Sequence, residues 1–69
     1  MPKTMPKTVT SIFSTNLLDV AEVRDTCVKL AEWINTQKEA GYIVVYETHT
    51  PVLSPHMYGL VSVIRMELP

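Results

Sequence analysis

Two stretches of this chain decide its fold, YIVVY at residues 42–46 and LVSVIRM at residues 60–66. Each carries apolar side chains at consecutive positions, whereas the side chains of a β-strand alternate between the two faces of its sheet. Both faces of the predicted strands are therefore apolar. In the first stretch the alternation places Tyr42, Val44 and Tyr46 on one face. The last strand divides in the same way, with Leu60, Ile64 and Met66 opposite Val61 and Val63.

The chain offers only one amphipathic helix to cover this sheet. We predict an α+β domain of the order β-α-β-β, in which the helix packs on one face of a three-stranded sheet and the other face lies in an oligomer interface. A chain of 69 residues buries a small core, and small domains usually add a disulfide, a metal or further subunits. Cys27 is the only cysteine, so an intramolecular disulfide is excluded. Association with further copies of the chain, as a homo-oligomer, is the remaining way to stabilise the domain.

The composition is that of a folded globular domain, with 46% hydrophobic and 19% charged residues. A formal net charge of −1 argues against a nucleic-acid partner, which requires a basic surface. No apolar run reaches the roughly 18 residues of a membrane span, and the N-terminus lacks the apolar segment of a signal peptide. A lone reducible thiol fits a cytoplasmic protein, and we expect no membrane partner.

The chain begins with a direct duplication, MPKT-MPKT, over residues 1–8. Pro2 and Pro6 disfavour a helix or a central strand there. We expect residues 1–8 to form a flexible tail and residues 9–69 to form the single domain. The duplication is open to two interpretations, a small basic arm carrying Lys3 and Lys7 or a second start codon or cloning scar.

The helix is marked at both ends. Asp19 and Glu22 have the spacing of a capping box, and Gly41 supplies a C-terminal stop. The apolar residues between these ends follow the three-and-four spacing of one helical stripe. This pattern predicts a helix from about residue 20 to residue 39. The stripe comprises Val20, Val23, Cys27, Leu30, Ala31 and Ile34.

Three strands complete the predicted domain. We expect the first at residues 9–15, the second at residues 42–49 and the third at residues 58–68. Residues 48–56 (THTPVLSPH) contain two prolines and no Asn-Gly or Asp-Gly pair, so we interpret them as a long loop and not as a tight turn. This loop either forms a binding arm or folds back over its own hairpin. The order of the strands in the sheet is left open.

Few polar residues suggest chemistry. Cys27 shares the helical stripe, so we predict that it is buried as a small hydrophobic residue. His49 and His56 flank the predicted loop, and with Glu47 they form an incomplete set of metal ligands at no recognised spacing. We therefore predict no metal site and no cofactor. The two histidines are interpreted as exposed loop residues or as hydrogen-bonding contacts to a ligand.

Trp33 and Arg65 are the remaining candidates. Trp33 lies at the border of the apolar stripe, where a tryptophan forms the rim of the core, an interface anchor or a stacking platform. Arg65 is predicted on the same side as Val61 and Val63. If subunits bury that side, the guanidinium needs a partner such as Glu67 or an anionic ligand. Otherwise it is an exposed charge that deters aggregation.

No Ser-His-Asp set, glycine-rich phosphate loop or useful pair of carboxylates stands out, which argues against an enzyme. The run DVAEVRDTCVKLAEWINTQKEAGYIVVYET (residues 19–48), followed by YGLVSVIRMEL (residues 58–68), resembles in layout the small sporulation-linked proteins of bacilli and their phage relatives. The resemblance covers about residues 9–68, rests on element order and hydrophobicity, and assigns no functional residue. It implies a phage-encoded accessory protein in the host cytoplasm that blunts host defence, by blocking a protein or by sequestering a nucleotide signal.

These observations lead to one functional hypothesis, a non-enzymatic homo-oligomer that binds a small nucleotide signal at its subunit interfaces. Aromatic stacking contributes about 1–3 kcal/mol per base, so a few such contacts would contribute substantially to the affinity for a nucleotide. The alternatives are a protein that binds and inhibits a host defence enzyme, and a purely structural oligomer. The predicted ligand-binding residues are Thr48, His49, Thr50, Ser54, His56, Tyr58, Arg65 and Trp33.

Overall fold

The computed structural model describes residues 5–69 and confirms the predicted β-α-β-β order. The three strands form one antiparallel sheet in the order β1-β3-β2, so β3 is central and the other two strands are edges. The first copy of the MPKT duplication, with Lys3, lies outside the described residues. The elements are β1 (Thr8–Asn16), α1 (Val20–Glu39), β2 (Ile43–Ser54) and β3 (Met57–Glu67).

Local sequence determines both ends of α1. The Asp19 carboxylate caps the N-terminus by accepting a hydrogen bond from the Glu22 amide at 3.1 Å. At the other end Gly41 adopts a φ of +101°, a conformation that glycine tolerates best. The Tyr42 amide then donates to the Gln37 carbonyl at 3.0 Å, which is the long bond of a Schellman motif. The predicted helix is confirmed at both ends.

The face that α1 turns to the sheet differs from the one that the apolar spacing predicts. Cys27 is exposed, so the prediction that it is buried is wrong. The helix is instead rotated toward Trp33, whose ring meets Phe13 of β1 edge-on with the centroids 6.3 Å apart. An indole gains more from burial than a thiol does, and Val20 is left 73% exposed. The half-buried residues of α1 are Val23, Thr26, Leu30, Trp33, Ile34 and Gln37.

The hydrophobic core is small and lies where α1 ends and β2 begins. Among the described residues the buried hydrophobic side chains are Tyr42, Ile64 and Met66. Around them pack Val9, Leu30, Trp33, Ile34 and Leu68, which are only partly buried. Three buried side chains give little hydrophobic stabilisation for a chain of this size.

The segment before β1 contacts this core. The Tyr42 hydroxyl donates a hydrogen bond to the Pro6 carbonyl. The Leu68 amide donates another to the Lys7 carbonyl at 2.9 Å. Residues 6 and 7, which the sequence places in the tail, are therefore tied to the link between α1 and β2 and to the residue that follows β3.

A β-bulge in β2 decides which of its residues share a face. The pairing of β2 with β3 shifts between Val44 and Tyr46 and leaves Val45 without a partner. Val44 pairs with the buried Met66, whereas Tyr46 pairs with Arg65 on the other side of the sheet. The prediction that Tyr46 shares a face with Val44 is wrong, because one inserted residue turns the following side chains over.

The long loop predicted at residues 48–56 is replaced by a continuous hairpin. β2 runs to Ser54, and Pro55 and His56 alone form the turn before β3. Pro51 fits within β2 because an edge strand tolerates a residue that lacks an N–H. No non-glycine residue in the described part of the chain has a positive φ. A two-residue turn without a positive φ is not a type I′ turn, the type that favours Asn-Gly. It is consistent with a type I turn, which favours Ser at the first position and Pro at the second.

The hairpin extends beyond the helix. At about 3.3 Å per residue, the 12 residues of β2 span roughly 40 Å. The 20 residues of α1 span roughly 30 Å at about 1.5 Å per residue. Leu53 and Tyr58, near the hairpin turn, are 69% and 47% exposed. The molecule is thus elongated, with extents of 50 × 20 × 19 Å.

Candidate functional site

The eight residues predicted to bind a ligand are distributed over three places. Thr48, Thr50 and Arg65 lie on the face of the sheet that points away from α1. His49 and Trp33 lie on the side that α1 covers. Ser54, His56 and Tyr58 lie at the hairpin end. The division follows from strand alternation, which sends His49 and its two neighbours to opposite faces.

The face that points away from α1, called the open face below, is built from rows of three residues that cross the sheet. In the central row Val63 of β3 is flanked by Ile12 of β1 and Thr48 of β2. Ile12 is 68% exposed even though it stands in the middle of its strand. The open face comprises Thr8, Thr10, Ile12, Ser14, Asn16, Ile43, Tyr46, Thr48, Thr50, Val52, Gly59, Val61, Val63, Arg65 and Glu67.

One row of the open face combines a cation with an aromatic ring. The guanidinium carbon of Arg65 lies 5.7 Å from the centroid of the Tyr46 ring, within the range of a cation–π contact. Glu67, the partner expected for Arg65, instead accepts a hydrogen bond from the Thr8 hydroxyl at 3.5 Å. Arg65 and Tyr46 together present a flat surface with one positive charge. The sequence did not reveal this pair, because the bulge at Val45 is what brings Tyr46 to the open face.

A second polar cluster, also missed by the sequence reasoning, lies on the covered side. His49 Nδ1 is 2.7 Å from Ser62 Oγ, and His49 Nε2 is 3.4 Å from Glu47 Oε1. Ser62 is 5% exposed, whereas about half of the His49 and Glu47 side chains reaches solvent. If Nε2 carries the ring proton beside the carboxylate, Nδ1 accepts the Ser62 O–H. One hydrogen bond then joins Ser62 to His49, and Glu47 lies at ion-pair distance from the other ring nitrogen.

The order of these three groups resembles that of a catalytic triad, but their location is unsuited to acyl transfer. Such a reaction needs N–H donors aimed at the oxyanion that develops. Ser62 lies on β3, which forms backbone hydrogen bonds with β1 on one side and with β2 on the other. The amides near Ser62 are thus engaged in the sheet. The cluster is able to orient a polar ligand.

Two cavities lie near this cluster and near the hairpin. The larger, of about 420 Å³, opens between the end of β1 and the hairpin, and its wall includes Asn16, Glu22 and His56. The carboxylate of Glu22 disfavours a phosphate or carboxylate ligand there. The smaller, of about 180 Å³, lies between α1 and the sheet, and its wall includes Thr15 and Ser62.

Within residues 5–69, no group of three or more His, Cys, Asp or Glu residues is placed to hold a metal ion. In the same part of the chain, no helix combines the length and the apolar character needed to cross a membrane. No protein-family model, curated protein or solved structure matches this chain.

Proposed function

We propose that this protein is a non-enzymatic binding protein that acts as a homo-oligomer, in which a second copy covers the open face and a small ligand binds where the copies meet. The observation that carries the proposal is the exposure of large apolar side chains on a well-formed sheet. Ile12, Ile43 and Tyr46 are 68%, 51% and 49% exposed. Ile12 pairs with Val63 of the central strand, to which Tyr46 is diagonal, and an exposed apolar patch of this kind is typical of interaction sites.

The surface area of the chain supports a second copy. The chain exposes 5271 Å², whereas a compact monomer of 7.8 kDa exposes about 4,400 Å². The excess reflects the elongated shape of the chain, which leaves more than the roughly 800 Å² per partner that an interface of standard size requires. The radius of gyration, 14.3 Å, also exceeds the value of about 11 Å for a compact domain of this length.

The charges on the open face favour a like partner. Arg65 and Glu67 are its only charged residues, so two copies of the face meet without net repulsion. A twofold axis brings the same patch of each subunit against itself. Because the two charges have opposite sign and lie two residues apart on β3, the face as a whole carries no net charge.

The ligand in this proposal is a nucleotide held by the Arg65–Tyr46 pair. An aromatic ring stacks on a base, and a guanidinium pairs with a phosphate in two-point contact. Thr48, on the same face, adds a hydroxyl. Tyr46 belongs to an edge strand, so a ligand stacked on it lies at the rim of the open face, within reach of a neighbouring copy. Sequestration of a signal, which the layout resemblance implies, stays a prediction.

Light scattering and sedimentation equilibrium on the full chain test the assembly. We expect an oligomer that Ile12→Lys converts to a monomer, because the substitution places a charge beside Val63 in the middle of the open face. Val20→Lys is the matched control, since Val20 is a β-branched residue of α1 that is 73% exposed. A wild-type chain that remains monomeric at millimolar concentration would contradict the proposal and favour a different protein as the partner of the open face.

Thermal-shift measurements with ATP, GTP, cyclic AMP and cyclic di-GMP test the ligand. We expect at least one of these to raise the melting temperature, and Arg65→Gln to reduce that increase by removing the phosphate contact. Arg24→Gln, on the exposed side of α1, controls for the loss of one positive charge elsewhere. If the protein is an oligomer but none of the four nucleotides raises its melting temperature, the proposed assembly stands and the proposed nucleotide ligand is refuted.

A further inference from the structure

We propose that the outer edge of β1 is a self-association site, at which β1 of one copy pairs antiparallel with β1 of a second copy. The two sheets then form one continuous sheet, with both helices on the same side of it. The edge is a different surface from the open face, and its pairing needs no ligand. The inference therefore goes beyond the function proposed above.

Two hydrogen bonds reveal how the backbone of β1 is oriented. The Leu17 amide donates to the Tyr58 carbonyl at 2.8 Å, and the Leu68 amide donates to the Lys7 carbonyl at 2.9 Å. Both pairs continue the register of β1 with β3. Bonded and non-bonded pairs alternate along an antiparallel ladder, so the odd-numbered residues of β1 bond to β3. The even-numbered residues direct their N–H and C=O groups away from β3.

The outward groups are engaged only at the two ends of β1. The Asn16 amide donates to the Glu22 carboxylate at 3.3 Å, and the Asn16 carbonyl accepts from the Asp19 amide at 3.1 Å. At the other end Pro6 has no N–H to offer. Between these ends β1 is an edge with no strand beside it among residues 5–69. The outward residues left without a strand partner there, all exposed, are Thr8, Thr10, Ile12 and Ser14.

This edge lacks the features that keep edge strands from pairing, which are prolines, charges and bulges. The outer edge of β2 has all three, in Pro51, Glu47 and the bulge at Val45. Pro51 pairs with Leu60, whose backbone groups bond to Thr15 on the other side, so Pro51 faces outward. By contrast, β1 contains no proline and no charged residue, and its register has no shift. Of the two edges, that of β1 is the one open to pairing.

The free stretch is symmetric about Ser11, which favours a second copy as the partner and specifies the register. If two copies of β1 pair about Ser11, every outward residue meets an outward residue. Thr8 then lies opposite Ser14 of the second copy, and Thr10 lies opposite Ile12. Each of these pairs exchanges both backbone hydrogen bonds. A twofold axis at Ser11 thus satisfies the whole free edge.

The side chains agree with this register. On the covered side, Val9 of each copy lies opposite Phe13 of the other, an aromatic and β-branched pair of the kind that stabilises antiparallel sheets. On the other side the two copies of Ile12 are diagonal neighbours, so each covers part of an apolar side chain that is 68% exposed in the single chain. Since β1 has no charged residue, the pairing opposes no like charges.

Disulfide cross-linking tests the register. Ser11→Cys in a Cys27→Ser background leaves one thiol, and the exposed position of Cys27 makes that background a mild change. The two copies of residue 11 form a non-hydrogen-bonded pair with Cα atoms about 4.5 Å apart, which suits a disulfide. Thr10→Cys in the same background is the control, because the two copies of residue 10 are staggered by two positions. With oxidised glutathione, we expect Ser11→Cys to form a covalent dimer faster than Thr10→Cys does.

Amide hydrogen exchange tests the pairing in the wild-type protein. We expect exchange at Thr10 and Ile12 to slow as the protein concentration rises, because both amides donate across the paired edge. The amide of His49 is the matched control. His49 pairs with Ser62, whose backbone bonds to β1, so the His49 amide faces outward from β2. It should exchange at the same rate at every concentration, whereas cover of the open face alone would not distinguish the two edges.

Thr10→Pro removes one outward donor and no hydrogen bond to β3. Sedimentation equilibrium should show that it halves the mass of the wild-type oligomer, whereas Thr10→Val, which keeps the N–H, should leave that mass unchanged. Unlike Ile12→Lys, Thr10→Pro preserves the apolar residues of the open face.

Three results would each overturn the edge pairing: cross-linking of Thr10→Cys as fast as that of Ser11→Cys, equal exchange behaviour at the two edges, or an unchanged mass in Thr10→Pro. An oligomer that persists in any of these cases is assembled through the open face, so the edge pairing fails without the proposed function. Conversely, a wild-type dimer that Thr10→Pro converts to a monomer supports the edge pairing and contradicts cover of the open face. The exchange rates of the wild-type protein decide the question even if Thr10→Pro does not fold.

Discussion

At the residue scale, register decides which side chains meet. His49 and Ser62 are 13 residues apart in the chain and bond because the antiparallel pairing places them opposite each other. The sequence contained both residues but not their pairing, which depends on how far β2 extends. By contrast, the shared face of Arg65 and Val63 follows from alternation alone, and the sequence predicted it.

Replacing Thr15 by Val should raise the free energy of unfolding by about 1 kcal/mol. The two side chains have nearly the same shape, and the substitution removes a buried hydroxyl that has no partner. Urea denaturation measures the change. Thr10→Val, at an exposed position of the same strand, should shift the value by less than about 0.5 kcal/mol at low protein concentration. A loss of stability in Thr15→Val would mean that the hydroxyl is satisfied in the folded state.

Gly41→Ala should lower the free energy of unfolding by about 1 kcal/mol, because Gly41 has a φ of +101° and an L-residue is strained there. Crowding contributes little, since an added Cβ would lie 3.7 Å from the Leu68 side chain. Gly41→Asn should lower the free energy of unfolding by less than Gly41→Ala does, because asparagine adopts the left-handed backbone conformation more readily than alanine. Thermal or urea unfolding separates the two variants. Equal losses would show that the φ angle is not the cause.

At the element scale, the strength of the local signals explains which elements could be predicted. The helix limits were predictable because Asp19 and Gly41 each act within a few residues. The end of β2 was not predictable, because two prolines in nine residues normally indicate a loop. Pro51 is tolerated within a strand only at the edge of a sheet. Whether β2 is an edge depends on the strand order, which the sequence left open. The bulge at Val45 has no local signal of its own.

Pro51→Thr should increase self-association through the outer edge of β2. Proline removes a donor from an edge strand, and threonine restores that donor in a residue that favours strands. We expect the scattering of Pro51→Thr to rise with concentration into species larger than the wild-type oligomer. Pro55→Thr, in the turn, controls for the loss of a proline without a change in the edge. Unchanged assembly in Pro51→Thr would show that Pro51 does not protect this edge.

At the scale of the whole molecule, the small core and the exposed sheet belong together. With three buried hydrophobic side chains in residues 5–69, an isolated chain has a narrow stability margin. The hairpin extends beyond the helix and carries apolar residues that α1 does not reach. A second copy on the open face would add the burial that the single chain lacks. In that case folding and assembly are linked.

This linkage predicts that the melting temperature depends on protein concentration. A chain that folds as a dimer gains stability with concentration by mass action. For two chains of this length, with an unfolding enthalpy of roughly 100 kcal/mol per dimer, the expected increase is about 5 °C for each tenfold rise. Calorimetry between micromolar and millimolar concentration measures it. Ile12→Lys should melt at a lower temperature that does not vary with concentration, whereas Val20→Lys should follow the wild type. A wild-type melting temperature that does not change with concentration would show that folding does not depend on assembly.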